Sequence, residues 1–394
     1  MSYILTLIYM AVEFIKFLDK YIGKAVCGFL SIFSSKKSLN LKAKKILVIQ
    51  LWGIGETILM LPSLKALRSG FKKSEIDVLT TKRNSSVFYG NKNADKIIEL
   101  KLNPLSILSF ILKNYKKYDL VMDMEEYLNI SSIISFFTGK SRLGYSHGIR
   151  AGLYDGKVIY NDRQHTSETF LDLVRKLNIN YKLKKLEKLS YSKKDKEKVD
   201  KFFKAKKLSK KDFIIGIAPG AAESSKCRMW PLKNYSLLSE NLLKNKKNKI
   251  ISIGNEKENE ITEKIKDNVK DVKGINNRII NTAGLFNLNE LFYLIEKCNL
   301  FVGNDSGPMH IAAAQKVKTV GLFGPNLPER FWPYGKGNIA VYKGDNCDFS
   351  PCINVHKGQV PDCLFSKNST DYQKCMKNIK VEDVLGKIIF LSKG

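Results

Sequence analysis

The feature that most constrains this chain is a repeated unit: a short β-branched run, a glycine or acidic turn, then helical periodicity. The first begins at Lys45 with Ile-Leu-Val-Ile-Gln-Leu, continues through Trp52-Gly-Ile-Gly-Glu-Thr, and passes into a helical pattern over 58–68. Strand-like runs recur at 76–80, 96–100 and 120–124, with helical segments at 105–113 and 130–137 between them. Such alternation predicts an α/β fold with a parallel sheet covered by helices on both faces. Ligands of these sheets bind beyond the carboxyl ends of the strands, where Gly53, Gly55 and Glu56 fall.

A lysine-rich stretch over 182–211 interrupts the series, and a second series begins at Phe213. At 394 residues the chain has room for two domains, and the sequence places them at 45–200 and 201–394. Lys226 and Arg228 come after the strand that ends at Pro219-Gly220, a position suited to gripping a diphosphate. Further on, the run Leu300-Phe-Val leads into Gly303-Asn-Asp-Ser-Gly-Pro-Met-His310. Asn304, Asp305 and Ser306 are residues that favour an N-cap, and Pro308 suits a first helical turn. Gly307 permits close backbone approach, so a helix opening here offers amides to an anion such as a nucleotide diphosphate. His310 can donate to a phosphate or ribose oxygen, and Asp305 can accept from a hydroxyl. A capped, buried helix with a satisfied histidine is the plainer reading of the same residues.

The Gly53-Ile-Gly55 turn lacks the third glycine of a dinucleotide fingerprint, since Ile58 stands there, and no acid ends the second strand. A nicotinamide oxidoreductase is thereby disfavoured. Glu56 has two readings, a general base toward a bound hydroxyl and an acid favoured by the helix dipole.

Residues 1–44 form a segment of their own. Its apolar run is broken by Glu13, Lys16, Asp19, Lys20 and Lys24, which argues against a spanning helix. On a helix, Thr6, Glu13, Lys16, Lys20 and Lys24 make one narrow polar stripe, as expected of an amphipathic helix lying in a membrane interface. Docking on the protein's own core is the competing reading. The formal charge of +29, from 67 Lys and Arg against 38 Asp and Glu, favours anionic partners. A non-enzymatic basic protein binding anionic surfaces or nucleic acid would explain the charge. No zinc-finger, aromatic-stacking or recognition-helix pattern accompanies it, so nucleic acid is not expected as a partner. Cys347, Cys352, Cys363 and Cys375 lack a Cys-x-x-Cys pair, which ranks free thiols ahead of zinc and zinc ahead of disulfides.

Taken as ordered blocks, 46–62, Pro219-Gly220-Ala221 with 226–231, and 303–325 with Trp332-Pro-Tyr-Gly335 resemble the ADP-heptose:lipopolysaccharide heptosyltransferases of glycosyltransferase family 9. The resemblance runs over almost all of the chain after about Lys44. It implies a GT-B fold, two Rossmann-like halves facing a central cleft, with metal-independent, inverting transfer and no cofactor. By the same resemblance Glu56 matches the position of a catalytic Asp, with Asp123 as a reserve acid. Lys226 and Arg228 match a basic phosphate contact, and Asp305, Ser306, Gly307, Pro308 and His310 match the donor-binding loop. The final helical stretch, 381–391, is expected to pack toward the first domain. The implied partners are a nucleotide sugar, ADP-heptose or another, and an anionic lipopolysaccharide-core or related glycolipid acceptor. The implied setting is a monomer held peripherally at the cytoplasmic face of a bacterial inner membrane.

Overall fold

The computed structural model describes residues 17–35, 37–221, 223–269 and 277–393. The chain divides into two compact units, one running to Asp162 and including Thr166–Leu183, the other comprising Arg163–His165 and Lys184–Gly394.

The membrane stripe expected at Thr6, Glu13 and Lys16 lies outside the described residues. Beyond it a π-helical turn, Asp19–Gly23, runs into α1, Lys24–Ile32. The first unit then continues as β1 (Lys45–Ile49), α2 (Ile54–Gly70), β2 (Glu75–Thr80), β3 (Lys96–Glu99), α3 (Pro104–Lys113), β4 (Tyr118–Asp123), α4 (Asn129–Thr138), β5 (Gly139–Tyr145), β6 (Gly156–Val158) and α5 (Thr166–Arg175). Its six strands are parallel in the order β3-β2-β1-β4-β5-β6. The chain moves outward from β1 to β3 and then in the opposite sense from β4 to β6. Right-handed crossovers therefore put α2 on one face and both α3 and α4 on the other. The order reverses between β1 and β4, and the loops leaving those two strands part to form a crevice.

Leu47, Ile49, Leu79, Tyr118, Val121 and Ile134 form the core beneath α3 and α4. α1 docks on this unit through Cys27, which is buried with Ile133 and Leu153. The Asp19 carboxylate caps α4, accepting from the amides of Asn129 at 3.0 Å and Ile130 at 2.7 Å. The described part of the N-terminal segment is thus tied to the protein's own core on one side. On its other side Phe17, Ile22, Phe29, Ile32 and Phe33 stay exposed.

The second unit repeats the plan. α6 (Lys193–Ala205) opens with a capping box between Ser192 and Asp195. Then come β7 (Phe213–Ala218), α7 (Leu232–Leu243), β8 (Asn248–Ser252), α8 (Asn259–Asp267), β9 (Ile279–Asn281), α9 (Leu288–Glu296), β10 (Leu300–Asn304), α10 (Gly307–Ala314), β11 (Lys318–Phe323), α11 (Pro328–Phe331), β12 (Ile339–Tyr342), α12 (Lys374–Lys377) and α13 (Val381–Lys393). The parallel order is β12-β11-β10-β7-β8-β9, the same topology as the first sheet, with its switch between β7 and β10. Both units are α/β with the doubly wound order of a Rossmann-like domain.

The apolar face of α13, through Val381, Val384, Ile388 and Leu391, is spent in the second unit's own core with Trp230, Tyr235 and Leu238. Trp230 is fully buried there and its indole donates to the Ile379 carbonyl at 2.9 Å. Trp230→Ala removes this plug and leaves that carbonyl without its indole donor. It should destabilise the protein by about 3–5 kcal/mol, read as a lowered urea midpoint.

Candidate active site

In the first unit the turn after β1 is built around Gly53, which N-caps α2 at φ 77°. A Cβ there would lie 2.0 Å from Glu56 Oε2, so the glycine serves both the left-handed backbone and the space the carboxylate occupies. The Gly53 carbonyl accepts from Thr57 Oγ1 at 2.6 Å, which fixes the first helical turn. Glu56 sits in that turn, half-buried, and among the described residues its carboxylate has no hydrogen-bond partner. Gly55 lies beside it in the same turn.

The turn is braced from both sides. From beyond β4, Glu125 Oε1 accepts from the amides of Leu51 at 2.5 Å and Trp52 at 2.8 Å and from Gln50 Nε2 at 3.3 Å. From beyond β2, Asn84 Nδ2 donates to the Gln50 carbonyl at 3.0 Å and to Thr57 Oγ1 at 2.8 Å, while Thr81 Oγ1 donates to the Leu51 carbonyl at 3.0 Å. Burial, reinforced by the Asp123 charge, pushes the Glu125 carboxyl up to about 8 despite the amides that favour its ionised form.

Asp123 is fully buried at the end of β4. Its Oδ2 accepts from Arg150 Nη2 at 2.8 Å, Ser131 Oγ at 2.8 Å and Tyr154 OH at 2.5 Å. With Arg150 also buried, this ion pair is an internal strut and Asp123 is not presented to solvent.

In the second unit Asn304, the last residue of β10, joins the two sides of the crevice. Its Nδ2 donates to the carbonyls of Pro219 at 2.8 Å and Gly220 at 3.1 Å, and its Oδ1 accepts from the Trp230 amide and the Tyr235 hydroxyl, both at 3.0 Å. Asp305 comes next, held by Asn326 Nδ2 at 2.9 Å and lying 3.5 Å from Arg228 Nη1. Arg228 Nη1 also donates to the Asp305 carbonyl at 3.3 Å. Arg228 is therefore drawn into the loop, whereas Lys226 is exposed.

α10 starts after Ser306 with Gly307 and Pro308 in its first turn. The sequence predicts side-chain capping here, yet no side chain caps this helix; the Ser306 hydroxyl turns back to the Asn304 carbonyl at 3.2 Å. The Gly307 amide at its start is left without a side-chain cap. His310 is buried one turn in, 4.0 Å from Asp305 Oδ1. Burial, opposed by Asp305 and aided by Arg228, lowers its pKa to about 4, so the ring is neutral at pH 7. His310 Nδ1 and Arg228 Nε have no hydrogen-bond partner among the described residues. These two unpaired buried atoms near an uncapped helix start leave hydrogen-bonding capacity open to a ligand.

The sequence profile of glycosyltransferase family 9 (heptosyltransferase) matches residues 112–357. The chain belongs to that family. A lipooligosaccharide heptosyltransferase 2 of Campylobacter jejuni is 24% identical to this transferase over 335 residues, covering 84% of this chain and 93% of the relative. Among solved structures, the Escherichia coli ADP-heptose lipopolysaccharide heptosyltransferase II is 20% identical with a TM-score of 0.68, over 88% of this chain and 98% of that one. A family 9 glycosyltransferase from Veillonella parvula is 21% identical with a TM-score of 0.73, over 89% and 97%. The fold is GT-B and the protein is a glycosyltransferase.

Sequence reasoning missed the parts of the transferase's sites that act through other residues: Glu125, Arg150, Asn304 as a cross-loop tie, and Asn326. Glu125 and Asn304 stand at the carboxyl ends of central strands, which was a usable signal. Arg150 and Asn326 gave none, because their partners are 27 and 21 residues away in sequence. The seven cysteines are free thiols. Cys375 is pushed up to about 12 by burial and then by neighbouring Cys347 and Cys352, so these side chains share one region of the second unit. Among the described residues no three His, Cys, Asp or Glu side chains are grouped to hold a metal ion.

Glu125 yields a signed pH prediction. A carboxyl raised from 4.5 to about 8 binds a proton in the folded state that the unfolded state releases. Its effect on folding is therefore a penalty, fully present above pH 8 and absent below pH 4.5. Glu125→Gln keeps the acceptor oxygen and should flatten the decline in stability as pH rises from about 5 to 8, by on the order of a few kcal/mol, measured by urea unfolding.

Proposed function

We propose that the transferase moves heptose from ADP-heptose to a lipopolysaccharide-core or related glycolipid acceptor, by one inverting displacement that uses no divalent metal. The observation that carries this reading is the second-unit loop, where Asp305, the unpaired atoms of Arg228 and His310 and the uncapped start of α10 meet. Family membership supplies the class of reaction, and the names of the relatives supply the sugar and the acceptor.

The acceptor hydroxyl attacks the anomeric carbon from the face opposite the diphosphate. As the new carbon–oxygen bond forms, Glu56 takes the hydroxyl proton, and the bond to the diphosphate breaks with its electron pair leaving on ADP. Glu56 suits this role because it is half-buried at a strand's carboxyl end and its carboxylate is not engaged by another side chain among the described residues. Asp123 is the weaker choice, since proton acceptance there would break a buried ion pair.

Charge gathers on the diphosphate as it departs. The amides at Ser306 and Gly307, fixed beforehand by Pro308 and the helix, together with Arg228 and Lys226, would stabilise that charge without reorganising. Asp305 accepts from a donor hydroxyl, and neutral His310 can donate from one ring nitrogen. The acceptor's lipid places the enzyme peripherally at the cytoplasmic face of the membrane, as a monomer drawn there by its +29 charge and N-terminal segment.

Glu56→Gln should lower kcat by about 10²–10⁴-fold in an ADP-release assay while ADP binds with unchanged affinity. Arg228→Ala should raise the barrier by about 2.7–4 kcal/mol and weaken ADP binding. Turnover should persist in excess chelator. A panel of nucleotide sugars decides the donor, and preference for any sugar other than ADP-heptose would replace the heptose assignment.

A further inference from the structure

α3 and α4 lie on one face of the first sheet, and α1 packs against α4 as well. Ile130 and Phe137 of α4 pack into both the α3-side and the α1-side clusters, so the three helices form one layer. α3 is amphipathic in an unusual sense. Phe110 and Ile111 face the core, while Leu105, Leu108 and Leu112, at spacings of three and four, form a second apolar stripe that faces out. Leu105 is 81% exposed and Leu112 68%, and Tyr115 extends the stripe past the helix end. On α1 and the turn before it, Phe17, Tyr21, Ile22, Phe29, Ile32 and Phe33 are exposed in the same way. Large leucines and aromatics held this far into water mark an interaction surface.

The charge around these residues identifies the partner. Residues 20–37 and 101–117 contain no Asp or Glu, while Lys20, Lys24, Lys37, Lys101, Lys113 and Lys117 are exposed among them. A protein partner of ordinary composition offers both charges and is met by both. Within these two segments lysine is the only charged residue type, the nearest carboxylate, Asp19, being turned inward to cap α4, and lysines beside exposed leucines and aromatic rings fit a surface that is apolar beneath and anionic at its boundary. Among the described residues no helix is long and apolar enough to cross a membrane.

We infer that the outer stripe of α3, together with the exposed face of α1, is a docking surface for an anionic lipid bilayer. This extends the peripheral attachment proposed for the N-terminal segment by adding a second, separate element, and it does not depend on the identity of the sugar or acceptor.

The test uses the full-length protein with vesicles of phosphatidylcholine alone or mixed equally with phosphatidylglycerol. Wild type should sediment with the mixed vesicles, and weakly with phosphatidylcholine alone. A Leu105→Glu, Leu108→Glu, Leu112→Glu variant should lose at least about tenfold in partitioning, because three inserted side chains become charged. Its circular dichroism and its ADP affinity should be unchanged, since the stripe lies outside both crevices. Binding of this variant equal to wild type overturns the inference, as does wild type that ignores vesicles. So does wild type that dimerises in sedimentation velocity through this stripe and binds no lipid. Deleting residues 1–16 separates the two elements. If only the deletion abolishes binding, the N-terminal reading stands and the α3 surface falls; if only the triple variant does, the reverse holds.

Discussion

A parallel sheet returns every crossover to the same end of its strands, and that single constraint decides where this protein can do chemistry. Because each chain half winds outward from its first strand in one direction and then reverses, the loops after β1 and β4, and after β7 and β10, are forced apart. A crevice opened this way would splay without a tie across it. Each unit supplies one: Glu125, just past β4, binds the amides after β1, and Asn304, ending β10, binds the carbonyls after β7. The Glu125 carboxylate oxygen accepts from N–H groups, whereas the Asn304 amide both donates to C=O groups and accepts from the Trp230 N–H, so the two crevices are tied by different side chains on the same topology. The proposed base and the donor loop each hang directly from one of these ties.

This division also explains what could be read from the residues in order. The strands and helices announce themselves by β-branched runs and helical periodicity, and the placement of Glu56 and of the 303–310 loop comes from the rule that ligands gather at strand ends. Arg228 and Lys226 could not be separated by spacing, because only the fold brings Arg228 to Asp305 while Lys226 stays exposed. Asp123 and Glu56 look alike in sequence as acids at strand ends. They differ because Arg150, Ser131 and Tyr154, scattered along the sequence, converge on Asp123 alone. For α13 the hydrophobic pattern showed that one face must be covered and said nothing about which core covers it; the second unit's own core does so.

Charge and apolarity are distributed with the same economy. The lysine excess looks diffuse along the chain, yet within 20–37 and 101–117 it coincides with a sequence free of Asp and Glu and with side chains that water disfavours. His310 shows the opposite strategy. Burial keeps the ring neutral, so the proposed donor loop presents a histidine whose charge does not track the pH of the cell.

Gly53 carries a genetic consequence. Its backbone is left-handed, and the space its missing side chain leaves is filled by the Glu56 carboxylate. Every missense change of that codon introduces a Cβ into the same volume and strains the turn as well. The glycine and the glutamate are therefore coupled: a side chain at position 53 strains the left-handed turn and displaces the Glu56 carboxylate from the place it holds.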